Sequence, residues 1–553
     1  MSTQCERVVN IQCKKDKLLQ FRTTKPNKIF EGMASEMFKQ IFLLFRTYFD
    51  MFIDFIFSLY WERHRQAIPS LEKRHSMLSE SAVNLASKIR NKELKSEELV
   101  QACIERIKIV NPILNAVTDE RFDDALGEAR EVDKLIEAGQ ADFENQPFLG
   151  VPFTAKESHA VRGMLHTLGI ARRRRARAPH DAECVRLLRA AGAIPLAVTN
   201  VPEINKWQET RNMVFGQTCN PYHTGRTVGG SSGGEAALAA ALASPISLCS
   251  DIGGSTRMPA FYCGLFGLNP TAGTTSLKGS ALRSGLEPTM ASVGVLSKRC
   301  ADLAPLTNVL LTDSARLQIQ LDTEYHIKDI KIFYCKSAPD LRVSPLDKDM
   351  RQTMDKVLSA LREDGAGGAG GAREYGHPGL RHMYSLWRHA MALEADSFPQ
   401  LLTDNHGHAN GILELVKKVV GVSAYTLAAI LKLLDEQVLP AVDRDWADRT
   451  TKDLREDLIR TLGEEGVLLF PSAPAAAPYH YSLYLRPFNF SYWALLNALR
   501  LPALQVPLGL SSAGLPLGLQ VVAAPRREAL CLAVAKHLEA RFGGFVPPCA
   551  VQH

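Results

Sequence analysis

Two serines sit among glycines at separate places in this 553-residue chain: Ser255 in SDIGGSTRMPA and, 24 residues earlier, Ser231 in TVGGSSGGEAALAAAL. Glycine pairs let a backbone approach another group closely and take up positive φ. The N–H groups of Ile252, Gly253, Gly254 and Ser255 can therefore point at one spot, a geometry that holds an anion. A serine hydroxyl is barely nucleophilic at neutral pH and needs a base for its proton and donors for the developing oxyanion. Three bases are conceivable: a histidine, a histidine backed by a carboxylate, or a lysine. Lys156, 75 residues before Ser231, ends the apolar run LGVPFTAK. Burial there would penalise its charge, and a shift of up to ~3–5 units from ~10.4 would make it a working base near neutrality. Taken alone, a strand-end lysine reaches solvent.

The elements that must position these residues read as an alternation. Short apolar runs of strand length (FLGVPFTAK, GAIPLAV, ISLCS, KDIKIFY, GVLLFP, PALQVPL, LPLGLQVVA) are interleaved with helical patterns such as GEAALAAALA and REALCLAVAKHLEARF. That order predicts an α/β fold with a largely buried sheet. Earlier, SEELVQACIERIKIV has helical spacing, with Ser96 as its expected cap and Pro112 as its expected end. HMYSLWRHAMALEA and GILELVKKVVGVSAYTLAAILKLLDEQVL read as peripheral helices. Residues 363–376, EDGAGGAGGAREYG, read as a flexible surface insertion within one catalytic domain spanning 76–553.

Composition excludes several classes. With 46% hydrophobic and 22% charged residues and a net charge of +6, the composition is that of an ordinary globular enzyme rather than a disordered or fibrous chain. The run Arg172-Arg173-Arg174-Arg175-Ala176-Arg177 reads as solvated surface, and no nucleic-acid partner is expected. Eleven scattered cysteines without a CxxC pair indicate neither a disulfide framework nor a zinc site. Asp404, His406 and His408 in LLTDNHGHAN have no further ligand cluster nearby and read as a polar loop, so no metal or cofactor is expected. In the amino-terminal segment 1–75, residues 41–61 (IFLLFRTYFDMFIDFIFSLYW) are strongly apolar, but Arg46, Asp50 and Asp54 recur every four residues on one helical stripe. A single membrane anchor is expected there, spanning or lying in the interface.

TAKES, GGSSGGE and DIGGSTR together resemble the amidase signature family. The likeness runs over roughly residues 75 to 545 and includes SDIGGSTRMPAFYCGLFGLNPT, LFPSAP and LRLPALQVPLGLSSAGLPLGLQVVA. It implies a central mixed, twisted sheet covered by helices on both faces. It also implies cofactor-free cleavage of carboxamides through an acyl-enzyme, by a Ser–cis-Ser–Lys triad. Carried over by position, Ser255 becomes the nucleophile, Ser231 the bridging serine after a cis peptide bond, and Lys156 the proton acceptor. Ile252, Gly253, Gly254 and Ser255 then supply the oxyanion donors, while Ser232, Asp251 and Arg257 support the loop. With the apolar amino-terminal segment, the expected partners are a lipid amide or another small carboxamide and a membrane, with room for a homodimer. Three departures stand out: Thr256 follows the nucleophile where isoleucine is common, Asn205 and Lys206 stand where membrane-bound relatives tend to be apolar, and 292–304 lacks a Gly-Pro. Two other readings compete. An α/β-hydrolase would use Ser231 in a G-x-S-x-G elbow, and an amidotransferase component would deliver ammonia to a glutamate on charged transfer RNA. Ser70-Leu71-Glu72-Lys73 matches S-x-x-K only by coincidence.

Overall fold

The computed structural model describes residues 26–337 and 339–552, with side chains from Met37 onward apart from that of Ala369. The chain divides into two compact units, Met1–Ile53 and Asp54–His553. What is described of the first is the body of helix α1 (Pro26–Trp61), which continues into the second. Residues 54–75 fall in the larger unit.

The larger unit is built on one eleven-stranded sheet. Its strands are β1 (Val117–Glu120), β2 (Pro152–Lys156), β3 (Ile194–Thr199), β4 (Ile246–Asp251), β5 (Phe266–Asn269), β6 (Ser292–Ser297), β7 (Lys331–Tyr334), β8 (Arg373–Glu374), β9 (Gly466–Pro471), β10 (Ala503–Leu510) and β11 (Pro516–Ala523). The spatial order is β1-β3-β2-β4-β6-β5-β10-β11-β9-β7-β8. The sheet is mixed: β3, β2 and β4 run parallel, the strands from β4 through β6, β5, β10 and β11 to β9 pair antiparallel, and β9, β7 and β8 are parallel again. Phe153, Leu196, Leu248, Val295, Leu504 and Val521 are buried in the core, as the near-continuous apolar runs require.

Parallel strands converge their carboxyl ends, the place where open α/β sheets bind ligands. Here those ends are Lys156 of β2, Thr199 of β3 and Asp251 of β4. Helix α3 (Gly233–Ala240), buried along its whole length, packs on β2, β3 and β4 just after Ser231. Its small residues permit the close approach: a Cβ on Gly234 would stand 2.6 Å from Asn200 N. Glu235 of α3 ties the layers, accepting from Thr154 Oγ1 and Thr199 Oγ1, both at 2.7 Å.

Several expectations change in the structure. Helix α2 (Ser96–Leu114) passes through Pro112 and ends on Asn115 at φ 50°. Its first N–H groups are capped from outside by Asp133, which accepts from Ser96 N and Glu97 N, while Ser96 Oγ donates to Gly150 O. The Gly/Ala stretch supplies the edge strand β8, because glycines at positive φ (365, 367, 368 and 371) turn the chain back onto β7. No helix among the described residues is long and apolar enough to cross a membrane, so the reading of 41–61 as a transmembrane helix is dropped. The charged stripe is the reason. Arg46 and Asp50 pair at 3.6 Å, and Asp54 accepts from Arg486 at 2.7 Å. Trp61 lies 5.0 Å from the His480 ring.

Glu235→Leu removes the shared acceptor of two buried hydroxyls and should cost about 2 kcal/mol or more, whereas Glu235→Gln keeps an acceptor and should cost less. Denaturant midpoints of the two variants check this.

Candidate active site

Lys156 is 1% exposed. Its Nζ donates to Ser231 Oγ at 2.8 Å and to Ser250 Oγ at 3.2 Å. Burial pulls its pKa down from 10.5 to about 8, against the attraction of Asp251 and Glu235. Glu235 does not restore the full charge, since burial pushes its own pKa up to about 8. The lysine is thus close to losing its proton near neutrality, as the apolar run before it suggested.

Ser231 follows a cis peptide bond from Gly230. Ser232 N donates to the Ser255 carbonyl at 3.2 Å, which ties the two Gly-Ser loops together. Lys156, Ser231 and Ser255 all line one small cavity of about 50 Å³. Ser255 also lines a larger one, about 320 Å³, walled by Trp207, Tyr384, Trp387, Tyr484 and Phe490 among others. No histidine among the described residues lines either cavity, which leaves the lysine as the base candidate at this site. His159 is buried, held on Ser280 Oγ at 2.7 Å, and burial lowers its pKa to about 3.

The loop carrying Ser255 hangs on a buried ion pair. Arg257 Nη2 donates to Asp251 Oδ1 and Nε to Oδ2, each at 3.1 Å. The guanidinium also reaches Gln520 Oε1 at 2.6 Å, Asn497 Oδ1 at 2.7 Å and the Trp493 carbonyl at 3.1 Å. Asp251 in turn accepts from the backbone N–H of Gly254 (2.7 Å) and Thr256 (3.0 Å), bracketing Ser255. Burial opposes ionisation of Asp251, but Arg257 and these donors outweigh it and hold the carboxyl below its usual range. Two glycines are required by close approach. Gly254 sits at φ 104° with Trp493 against it, and a Cβ on Gly253 would stand 3.1 Å from Trp387 Nε1.

These contacts amend one expectation. Gly254 N–H is committed to Asp251, so the candidate oxyanion donors reduce to Ile252, Gly253 and Ser255. Trp387 Nε1 donates to the Ile252 carbonyl at 3.0 Å and so orients the next N–H, that of Gly253. Trp387, Ser250, Gln520 and Asn497 were not singled out from the sequence. Ser250 had a usable signal, since it stands one residue before the end of a strand parallel to that of Lys156. The others come from remote segments. Thr256 Oγ1 is buried without a partner, and nothing in the structure explains the hydroxyl. Asp404 accepts from Arg173 at 2.7 Å, an ion pair that gives this carboxylate a structural use.

A family sequence model described as Amidase matches residues 98–532. The chain belongs to the amidase family. It is 40% identical over 482 residues to fatty-acid amide hydrolase 2 of Homo sapiens, covering 85% of this chain and 90% of that protein. A glutamyl-tRNA(Gln) amidotransferase component of Alkalilimnicola ehrlichii is 28% identical over 477 residues, 81% of this chain and 94% of that one. Among solved structures, 6-aminohexanoate cyclic dimer hydrolase complexed with substrate superposes with a TM-score of 0.68 at 25% identity, over 84% of this chain and 97% of that one. This amidase is therefore a hydrolase acting on amides, and the α/β-hydrolase and amidotransferase readings are not favoured.

Asp251→Asn would leave the Arg257 charge buried and uncompensated, an expected loss of about 3–5 kcal/mol by denaturant unfolding. Because the folded pKa of Asp251 lies below the unfolded ~3.9, its contribution is complete above that value and disappears as pH falls through the folded one. The gap between wild type and variant should therefore narrow on acidification.

Proposed function

We propose that this amidase hydrolyses fatty-acid amides to free acid and amine with Ser255 as nucleophile, Ser231 as relay and Lys156 as proton acceptor. The observation that carries the reading is the buried Lys156 Nζ to Ser231 Oγ hydrogen bond, in a cavity that Ser255 also lines. Ser255 Oγ attacks the amide carbonyl carbon as its proton passes to Ser231 and the Ser231 proton to neutral Lys156. The oxyanion is held by the N–H groups of Ile252, Gly253 and Ser255. The relay then runs backward: Lys156 returns the proton through Ser231 to the leaving nitrogen, the C–N bond breaks, and the amine departs. Water attacks the acyl-Ser255 ester with the same assistance and restores the serine. The aromatic walls of the larger cavity suit an apolar acyl chain, which agrees with the 40% identity to a fatty-acid amide hydrolase.

A membrane surface is the proposed source of such substrates. Helix α1 exposes Phe38 (74%), Phe45 (65%), Tyr48 (62%) and Phe52 (58%), while Arg46 and Asp50 pair with each other. That pattern supports a helix lying in the interface, with the rings in the acyl boundary.

Three outcomes test the reading. Ser255→Ala should abolish hydrolysis and fluorophosphonate labelling with the fold retained; labelling that persists in Ser255→Ala and vanishes in Ser231→Ala would point to the other serine. In the wild type, log(kcat/KM) on an amide should rise with pH and level near 8, roughly tenfold per unit below that, as Lys156 loses its proton. Lys156→Ala should remove that limb and depress amides more than esters, whose leaving groups need less protonation. Finally, Phe45→Ser with Phe52→Ser and Phe55→Ser should weaken binding to phosphatidylcholine vesicles by about a hundredfold or more, given ~1.5–3 kcal/mol per buried ring. Unchanged vesicle binding would return the helix to a purely structural role.

A further inference from the structure

The larger cavity is apolar over most of its wall, yet besides Lys156 of the candidate relay a second lysine lines the same space as Ser255. Lys206 lines both cavities together with Asn205, Ile252 and Ser255. Apart from Lys156, which is held on Ser231 and Ser250, the other basic side chains there are neutralised: Lys432 by Asp435 at 2.8 Å and Glu436 at 3.3 Å, and Arg283 by Glu394 at 2.9 Å and by Asp396. Among the described residues, Lys206 Nζ has no carboxylate within 4.0 Å. Next to it, the amide oxygen of Asn205 is buried without a hydrogen-bond partner. Both side chains are presented by a turn in which Ile204 and Asn205 stand at φ 50° and 59°, a conformation that non-glycine residues rarely adopt and that recurs at functional sites.

An unpaired ammonium and an orphaned acceptor in one wall ask for a ligand that carries an anion and an N–H donor close together. A neutral amide headgroup supplies only the donor. We propose that Lys206 receives a carboxylate and Asn205 the scissile N–H, so that the preferred substrates are N-acyl amino acids, in which both groups lie within two bonds of the leaving nitrogen. The inference rests on the amidase reading above. The C–N bond is cleaved as described there, with the acyl chain passing to Ser255 and the free amino acid leaving with the returned proton. Placement supports a carboxylate near the reacting carbon rather than at the far end of the chain: Lys206 and Ser255 line both cavities, whereas Leu431, Leu439 and Phe488 line only the larger one. The site is poised for an anion. Burial and the nearby Lys432 and Arg283 depress the Lys206 pKa to about 8, against the weaker pull of Glu436 and Asp396, and a bound carboxylate would stabilise the charged form.

The test compares the full-length enzyme on N-oleoylglycine and N-oleoylethanolamine, which share a chain and differ in a carboxylate against a hydroxyl. Wild type should favour N-oleoylglycine in kcat/KM by about tenfold or more, mainly through KM, the size of one charge-assisted hydrogen bond. Lys206→Met should collapse that ratio toward one, and Lys206→Arg should keep most of it. Fluorophosphonate labelling of Ser255 in each variant confirms an assembled site. A wild-type ratio of one or less overturns the proposal, as does a Lys206→Met loss that falls equally on both substrates. Preference for a monoamide of a long dicarboxylic acid over N-oleoylglycine overturns it too, since the anion would then sit at the chain's far end. Should wild-type Ser255 neither label nor turn over any of these amides, the amidase reading fails, and this inference with it.

Discussion

A lysine dried out at the carboxyl end of a parallel strand is the constraint from which the rest of this site follows. In water an ammonium keeps its proton far above neutrality; at the end of β2, almost without exposure, Lys156 is brought down to about 8. Burial of that kind is tolerable only where hydroxyls and carbonyls satisfy the nitrogen. Ser231 Oγ and Ser250 Oγ do so. Ser231 reaches the lysine because α3 packs tightly on β2, β3 and β4, and it does so because its first turn is glycine and its faces are alanine. Glu235 then locks that packing with two threonine hydroxyls, one from each of the strands β2 and β3.

The second framework is the Asp251–Arg257 pair, which organises the loop on either side of Ser255. A buried ion pair is weak stabilisation by itself, since desolvation of two charges offsets much of their attraction. What this one supplies is position. Its carboxylate gathers the N–H groups of Gly254 and Thr256, and its guanidinium reaches Gln520 on β11, and Asn497 and the Trp493 carbonyl on the helix Ser491–Ala498. Residues as many as 263 positions apart in the chain thus set the loop's conformation. That is why the candidate oxyanion donors could be narrowed only in three dimensions: the Gly254 N–H is already spent on Asp251.

Helix α1 shows how one amphipathic pattern divides its tasks. The stripe Arg46, Asp50, Asp54 finds ionic partners within the protein, Arg46 and Asp50 with each other and Asp54 with Arg486. The aromatic faces stay outside, with Phe45 and Phe52 well over half exposed. Three charges in a segment of that length explain why no spanning helix results, and they do not diminish the apolar surface on the other faces.

The order of strands and helices was legible in the sequence because each buried strand is a short apolar run bounded by turn residues, and the runs ending in Lys156, Ser250 and Pro471 all became strands. The trio Lys156, Ser231 and Ser255 came from the likeness of TAKES, GGSSGGE and DIGGSTR to the amidase signature family rather than from any one local pattern; in the structure all three line one cavity. β5 and β6 were missed, being a brief run and a stretch with small polar residues. The two-residue edge strand at the end of the Gly/Ala stretch was not foreseen, because an edge strand is held by backbone hydrogen bonds and leaves little trace in side-chain pattern. Which N–H groups are already bound, and that Lys206 has no carboxylate partner while Lys432 and Arg283 are neutralised, were decided by tertiary structure alone. Each depends on a neighbour from another segment, and a charge acquires a pKa and a partner only when the chain has put something beside it.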